Sequence, residues 1–289
     1  MPSTSIKSHN NYILFDNHMH LRQNGRFMEA VNMFIKAGGN SFNLVNLPED
    51  FGPLSNRYEA IYEQTLKMAG IIRSETSLDV VVTLGPYPMD YFLFTDHGMN
   101  PLEYMRAGID LAAKYILDGK ANAIGEIGRP HFPVADSIIE ASDEIISYAM
   151  LTCKDLNCPL ILHTEDLDSQ GYKRLEKMTL DTGIGLDRIV KHHASPLDLC
   201  LDTKIQKSIL ASRSNVREIS KCKGKFLLET DYVDDPASGW KVIPPDSVPK
   251  RAVMMREELD DWESLFDECF LKEPIALYGE DSFAENLHL

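Results

Sequence analysis

The chain has 289 residues, and 44 acidic side chains against 29 Lys and Arg leave a formal charge of −15. A hydrophobic share of 44% is that of a globular protein able to bury a core without staples, so wholesale disorder is excluded. The acidic balance argues against general electrostatic wrapping of nucleic acid. The apolar runs are strand-length, far short of a membrane span, and no charged start followed by an apolar leader opens the sequence.

Short apolar strands alternate with amphipathic helical stretches. Residues 12–16 read as a strand, and 26–36 as a helix stopped by Gly38-Gly39. Residues 41–47 form the second strand, 56–74 a long helical pattern and 79–84 the third strand. A third helix carries Met105, Ile109, Ala112 and Ile116 on one face. Residues 121–127 give strand four, and Ile138, Ile145 and Ala149 form the stripe of the next helix. Strands five to eight fall at 159–163, 188–192, 207–211 and 225–231, and a final helical region runs over 249–270.

Eight such units predict a single-domain (β/α)₈ TIM barrel of the α/β class, with room for distortion, spanning 1–289 with peripheral tails at 1–11 and 281–289. A doubly wound sheet would also alternate, but no glycine fingerprint follows strand one and the polar strand ends are too many for one crevice. Two long loops, 85–100 with four aromatic residues and 232–249 with four prolines, belong at the C-terminal mouth. The aromatic loop either walls the substrate or packs on its own barrel or a second subunit. The five cysteines show no C-x-x-C spacing, so they read as reduced thiols packed as small apolar groups in a cytoplasmic protein. His9 and His288 sit near the termini and carry no role.

Polar residues cluster where the apolar runs end. Strand one gives Asp16-Asn-His18-Met-His20, and residues two apart on a strand point the same way, so His18 and His20 can chelate one metal. Strand four ends in Gly125-Glu126-Ile-Gly128, strand five in His163, strand six in Lys191-His192-His193 and strand eight in Glu229-Thr-Asp231. A single strand-end histidine is more often a hydrogen-bonded core residue than a ligand. Four histidines and two carboxylates over five strand ends suit one or two divalent cations, zinc first, with manganese or magnesium as alternatives.

In these motifs the sequence resembles the TatD-type metal-dependent hydrolases of the amidohydrolase superfamily, in particular an uncharacterised archaeal-type branch. The stretch Arg129-Pro-His131-Phe-Pro133 and the run from Asp231 to Pro236 match that branch rather than the nucleases, and the likeness spans about residues 12–280. The resemblance implies that His18 and His20 hold the first metal, that His163 and His192 hold the second, and that Glu126 bridges them where relatives use a modified lysine. It implies that Asp231 binds the first metal and acts as general base toward a metal-activated water. His193 rivals His192 and otherwise becomes a substrate residue.

The nucleases of the family carry an arginine two residues after the strand-five histidine; here the position is Glu165, which disfavours a phosphodiester. Arg129 and Lys191 can replace that charge, or Arg129 can hold Glu165 in a salt bridge. His131 either touches substrate or is a surface histidine. The expected activity is hydrolysis of an ester, phosphoester or amide bond in a small molecule. Nucleic acid is disfavoured, no membrane is involved, and a homo-oligomer is open. The alternatives are a deoxyribonuclease or phosphodiesterase, and a metal-binding scaffold or sensor without turnover.

Overall fold

A computed structural model of the protein describes residues 12–49, 53–222, 224–235 and 243–287. His9, His288 and the tail 1–11 lie outside them. In chain order the elements are β1 (Phe15–His20), α1 (Met28–Lys36), β2 (Ser41–Val45), α2 (Arg57–Glu75), β3 (Asp79–Leu84), α3 (Asp90–Asp96), α4 (Pro101–Leu117) and β4 (Ala123–Gly128). There follow α5 (Asp136–Leu156), β5 (Leu160–His163), α6 (Ser169–Thr182), β6 (Ile189–Ala194), β7 (Gln206–Leu210), α7 (Arg213–Ile219), β8 (Phe226–Glu229) and β9 (Tyr232–Val233). The last are α8 (Ser247–Glu258), α9 (Trp262–Asp267) and α10 (Glu273–Tyr278), with a π turn over Glu268–Lys272 joining the final pair.

Some helices start and stop where their ends find side-chain partners. At α6 the Asp168 carboxylate accepts from the Gln170 and Gly171 amides at 3.0 and 2.8 Å, and Gly183 takes a left-handed φ of 78° after the last turn. At α4 Asn100 caps Leu102 and Pro101 occupies the first turn.

The nine strands form one sheet in the order β8-β7-β6-β5-β4-β3-β2-β1-β9, and every pairing is parallel. Only Thr230 and Asp231 separate β8 from β9, so the two edges belong to one run of chain and the sheet curls back on itself as a TIM-barrel-like α/β domain. Inside lie Phe15, Val81, Ala123, Ile161, Val190 and Leu227, closed off by Leu277, Phe283 and Leu287. Residues 281–287, read from the sequence as part of a tail, therefore contribute buried side chains to the barrel floor. A larger apolar layer packs the outer face of the sheet against α1, α2, α4, α5 and α6.

Two expectations change. The segment 85–100 is not loop throughout, because α3 occupies its middle. The cysteines are not all thiols: Cys200 and Cys222 form a disulfide across a separation of 22 residues, with Cα atoms 5.2 Å apart. Chain folding brings them together, which spacing alone does not reveal. Cys153, Cys158 and Cys269 are buried and free. No helix among the described residues is long and apolar enough to cross a membrane.

Candidate metal centre

The centre sits at the carboxyl ends of the strands, where a parallel barrel gathers eight ends around one mouth. The pairing register shifts between Asp16 and Met19 on β1, between Ile124 and Ile127 on β4, and between Lys191 and Ala194 on β6. Each irregularity spans a strand that carries ring or carboxylate groups of the centre. A local slip of this kind re-aims a side chain that regular alternation would place elsewhere. Gly128 makes room for the arrangement: a Cβ there would collide with the His163 carbonyl oxygen, so only glycine lets β4 lie this close to β5.

His18, His20, Glu126 and His192 are almost wholly buried, and they converge. The Nε2 atoms of His18 and His20 lie 3.1 Å apart. His163 Nδ1 and His192 Nε2 lie 2.9 Å apart. Glu126 stands between the two pairs. Its Oε1 is 3.4 Å from His20 Nε2 and 3.9 Å from His18 Nε2, and its Oε2 is 2.8 Å from His163 Nδ1 and 3.0 Å from His192 Nε2. Asp231 Oδ1 closes the His18–His20 side at 4.0 and 3.8 Å.

Three groups of potential ligand atoms result among the described residues, and two of them, His18–His20–Asp231 and Glu126–His163–His192, divide the centre between them, each with all atoms within 4.8 Å of one another. The donor chemistry fits divalent cations. Ring nitrogens packed this closely in a dry site repel one another unless a proton or a cation stands between them. His20 is already set up for metal binding, because its Nδ1 donates to the Val45 carbonyl at 3.1 Å and leaves Nε2 for the centre.

The electrostatics follow from burial and neighbours. Burial would raise the Glu126 pKa, but His163 and His192 outweigh it and hold the carboxylate well below the usual range. Burial would lower His192, but Glu229 and Glu126 push it up to about 10. Burial lowers His18, and His192 reinforces that. Burial opposes protonation of His20, yet Glu126 and Asp231 raise it. The centre is thus a negative carboxylate frame that favours added positive charge.

Of the adjacent histidines on β6, His192 faces the cluster, while His193 is exposed at φ 51° and donates its amide to Glu229 Oε1 at 2.7 Å. His131 is exposed, and its Nδ1 lies 3.1 Å from His163 Nε2, which places it beside the centre. Arg129 is 1% exposed and binds Asp143 Oδ1 at 2.5 Å and Glu165 Oε1 at 3.1 Å. Glu165 is therefore the outer end of a salt bridge anchored on a buried guanidinium. Lys191 is 2% exposed, and its ammonium donates to the Thr164 and His192 carbonyls at 3.1 and 2.8 Å. Its strand neighbours Val190 and His192 face inward, so alternation puts Lys191 on the helix side of the sheet.

Two contributors were missed in the sequence reading, and a third, Tyr87, was read only as part of the aromatic loop. Asp16 accepts from the His18 and Thr230 amides and from the Thr230 hydroxyl, at 3.2, 2.9 and 2.7 Å, tying β1 to the turn that holds Asp231. Glu229 contacts His192 Nδ1 at 3.3 Å. Both acids stood inside quoted motifs, and a buried acid beside strand-end histidines was the available signal. Tyr87 meets His163 edge-on at 5.2 Å, and burial with the nearby Glu126 and Asp231 charges raises its phenol. Phe92 and Phe132 stack at 6.1 Å, so the aromatic loop and the segment after β4 meet.

The family model for TatD-related DNases matches residues 15–278. An uncharacterized protein of Methanocaldococcus jannaschii is 29% identical over 243 residues, 79% of this chain and 84% of that one. Among solved structures, the TatD homologue YJJV of Escherichia coli superposes with a TM-score of 0.62 at 17% identity, covering 91% of this chain and 97% of that one. The TatD-like protein of Archaeoglobus fulgidus gives 0.56 at 17% identity, with coverage of 86% and 94%.

Proposed function

The chain belongs to the family of TatD-related DNases and is a metal-dependent hydrolase, and from that premise we propose that it cleaves an ester, phosphoester or amide bond of a small substrate at a two-cation centre. His18, His20 and Asp231 would hold the first cation, His163 and His192 the second, with Glu126 shared between them; zinc is the cation the histidine-rich set suits best. When bound, the cations supply Lewis acidity, polarising the bond under attack and lowering the pKa of water. The observation that carries the reading is Glu126, whose two oxygens each face a different histidine pair.

The remaining work falls to protein groups. The Asp231 side chain is 28% exposed, at the rim rather than beneath it, where it can take a proton from the attacking water and return it to the leaving group. His131 and His193 are exposed at the mouth and can donate to the substrate. Tyr87 offers a phenol above His163. The cations expected to clamp a phosphate are committed elsewhere: Arg129 to Asp143 and Glu165, Lys191 to two carbonyls. The substrate class this supports is a compact, uncharged ester, amide or lactone with an apolar or aromatic part against Tyr87, Phe92 and Phe132. A cytoplasmic location belongs to the same proposal; three unpaired thiols support it, and the Cys200–Cys222 disulfide weighs against it.

The test joins metal analysis to a substrate panel. Purified protein should carry or take up zinc and turn over small esters, amides or lactones, with activity lost on chelation and regained with metal. Absence of any bound zinc, manganese, iron or nickel after reconstitution would sink the hydrolytic centre. Chelator-sensitive DNA cleavage that outpaces every small substrate would replace this substrate class with the nuclease one.

A further inference from the structure

Glu229 is wholly buried on β8, with β7 between it and the strand that carries His192. A carboxylate at such a depth is stable only where charge and hydrogen bonds answer it. Its Oε1 meets His192 Nδ1 at 3.3 Å and accepts from the His193 amide at 2.7 Å. Its Oε2 makes no closed hydrogen bond, although the buried Ser208 hydroxyl stands near enough to help hold the carboxyl low, and Nδ1 of the fully buried His18 has no partner either. The ligand-type atoms of His18, His192 and Glu229 all lie within 4.8 Å of one another, and the two imidazoles stack at 4.3 Å and 17°. The inner nitrogens of these rings, Nε2 in both, are the ones turned to the Glu126 side. An imidazole that gives one nitrogen to a cation carries its hydrogen on the other and needs an acceptor there.

We propose that Glu229 is a positioning residue shared by both metal positions, its Oε1 orienting His192 and its Oε2 accepting the Nδ1 hydrogen bond of His18. This rests on the two-cation reading above and adds to it that one carboxylate behind the centre braces a ligand of each cation. The two sites are thereby linked, and the rings stay parallel because both answer the same group. The plainer role, in which Glu229 only supports the left-handed turn at His193, requires the His193 contact alone.

Glu229→Gln separates the roles. The amide keeps the volume and one acceptor for the His193 amide, but it replaces the other acceptor with a donor that faces an imidazole N–H. Zinc titrations against a chromophoric chelator should show both equivalents weakened about 10–100-fold relative to the unaltered chain. The visible spectrum of the cobalt-loaded protein should change, while the unfolding midpoint of the metal-free protein should not fall. Unchanged zinc affinities, or weakening of one equivalent only, would overturn the proposal. Should Glu229→Gln fail to fold, Glu229→Asp, which retains the charge but withdraws it, must weaken both equivalents; equal affinities in that variant overturn it as well. If the unaltered chain binds a single equivalent, the shared brace falls while a one-cation hydrolase stands, and if it binds none, both fall.

Discussion

Asp231 occupies a position where charge and backbone geometry can be tested separately. Its φ of 48° lies in the left-handed region, and its amide donates to the His18 carbonyl at 3.0 Å, so the residue both interrupts the eighth strand and docks on the first. Asn accepts that conformation nearly as readily as Asp, whereas a β-branched residue does not. Asp231→Asn therefore removes the base and leaves the turn. The expected result is a kcat lower by about 10²–10⁴-fold, the usual worth of a positioned base, with an unchanged far-ultraviolet spectrum and an unchanged unfolding midpoint of the metal-free protein. A variant that keeps full kcat would remove Asp231 from the proton transfer. Asp16 stands behind this turn with three accepted hydrogen bonds and a pKa that burial pushes up to about 7. One carboxylate thus sets the spacing between the histidine pair and the base.

At the scale of elements, the aromatic segment is fixed by a buried ion pair. Arg57 on α2 donates to Asp90 Oδ1 at 2.9 and 3.2 Å, the Tyr58 hydroxyl donates to Oδ2 at 3.0 Å, and the Asp90 amide holds the Tyr87 carbonyl at 2.9 Å. Asp90→Asn removes a buried carboxylate that accepts two guanidinium bonds and a phenol bond, which costs about 1–3 kcal/mol. Chemical denaturation should show that loss, and KM should rise as Tyr87 loses its place. A loss below about 1 kcal/mol would mean the segment is held by its aromatic packing instead. The same scale shows why some features were legible in sequence. The alternation of apolar runs and amphipathic stripes gave the barrel, because burial on both faces of a parallel sheet leaves that pattern in the residues. His18, His20, Glu126, His163, His192 and Asp231 were visible as polar ends of apolar runs, and they do meet in space. The register slips on β1, β4 and β6 left no trace, since a bulge is decided by how two distant segments fit. The apolar run 12–16 marked only the start of strand one, and β1 runs from Phe15 through His20, carrying the His-x-His pair that the motif had placed on that strand. The fates of Arg129 and Lys191 depend on Asp143 and on two carbonyls, partners that no local motif names. Helix α6 carries a regular Asp168 cap and Gly183 stop and was readable but was passed over.

For the whole molecule, the charge of −15 and the centre act on each other. Glu126, Glu229 and Asp231 place three acids around four histidines at the barrel mouth, and in the metal-free protein these acids favour protons on His192 and His20 in place of cations. Divalent cations offset that charge and bind only where the strands have assembled the ligands, so they stabilise the folded state by mass action. With free zinc at about 100 times its dissociation constant, each site contributes about 2.7 kcal/mol. At about 2–4 °C per kcal/mol for chains near this size, one site shifts the unfolding midpoint by roughly 5–10 °C. A thermal scan after chelation should therefore show the midpoint fall by at least that amount and recover with added zinc. Magnesium should restore less, because imidazole nitrogens suit it poorly. Glu126→Gln should abolish most of the zinc-dependent shift, since it weakens the group placed between both histidine pairs. If chelation leaves the midpoint of the unaltered protein in place and zinc adds nothing, the four histidines are a hydrogen-bonded core cluster and the acidic surface has no cationic counterpart at the mouth.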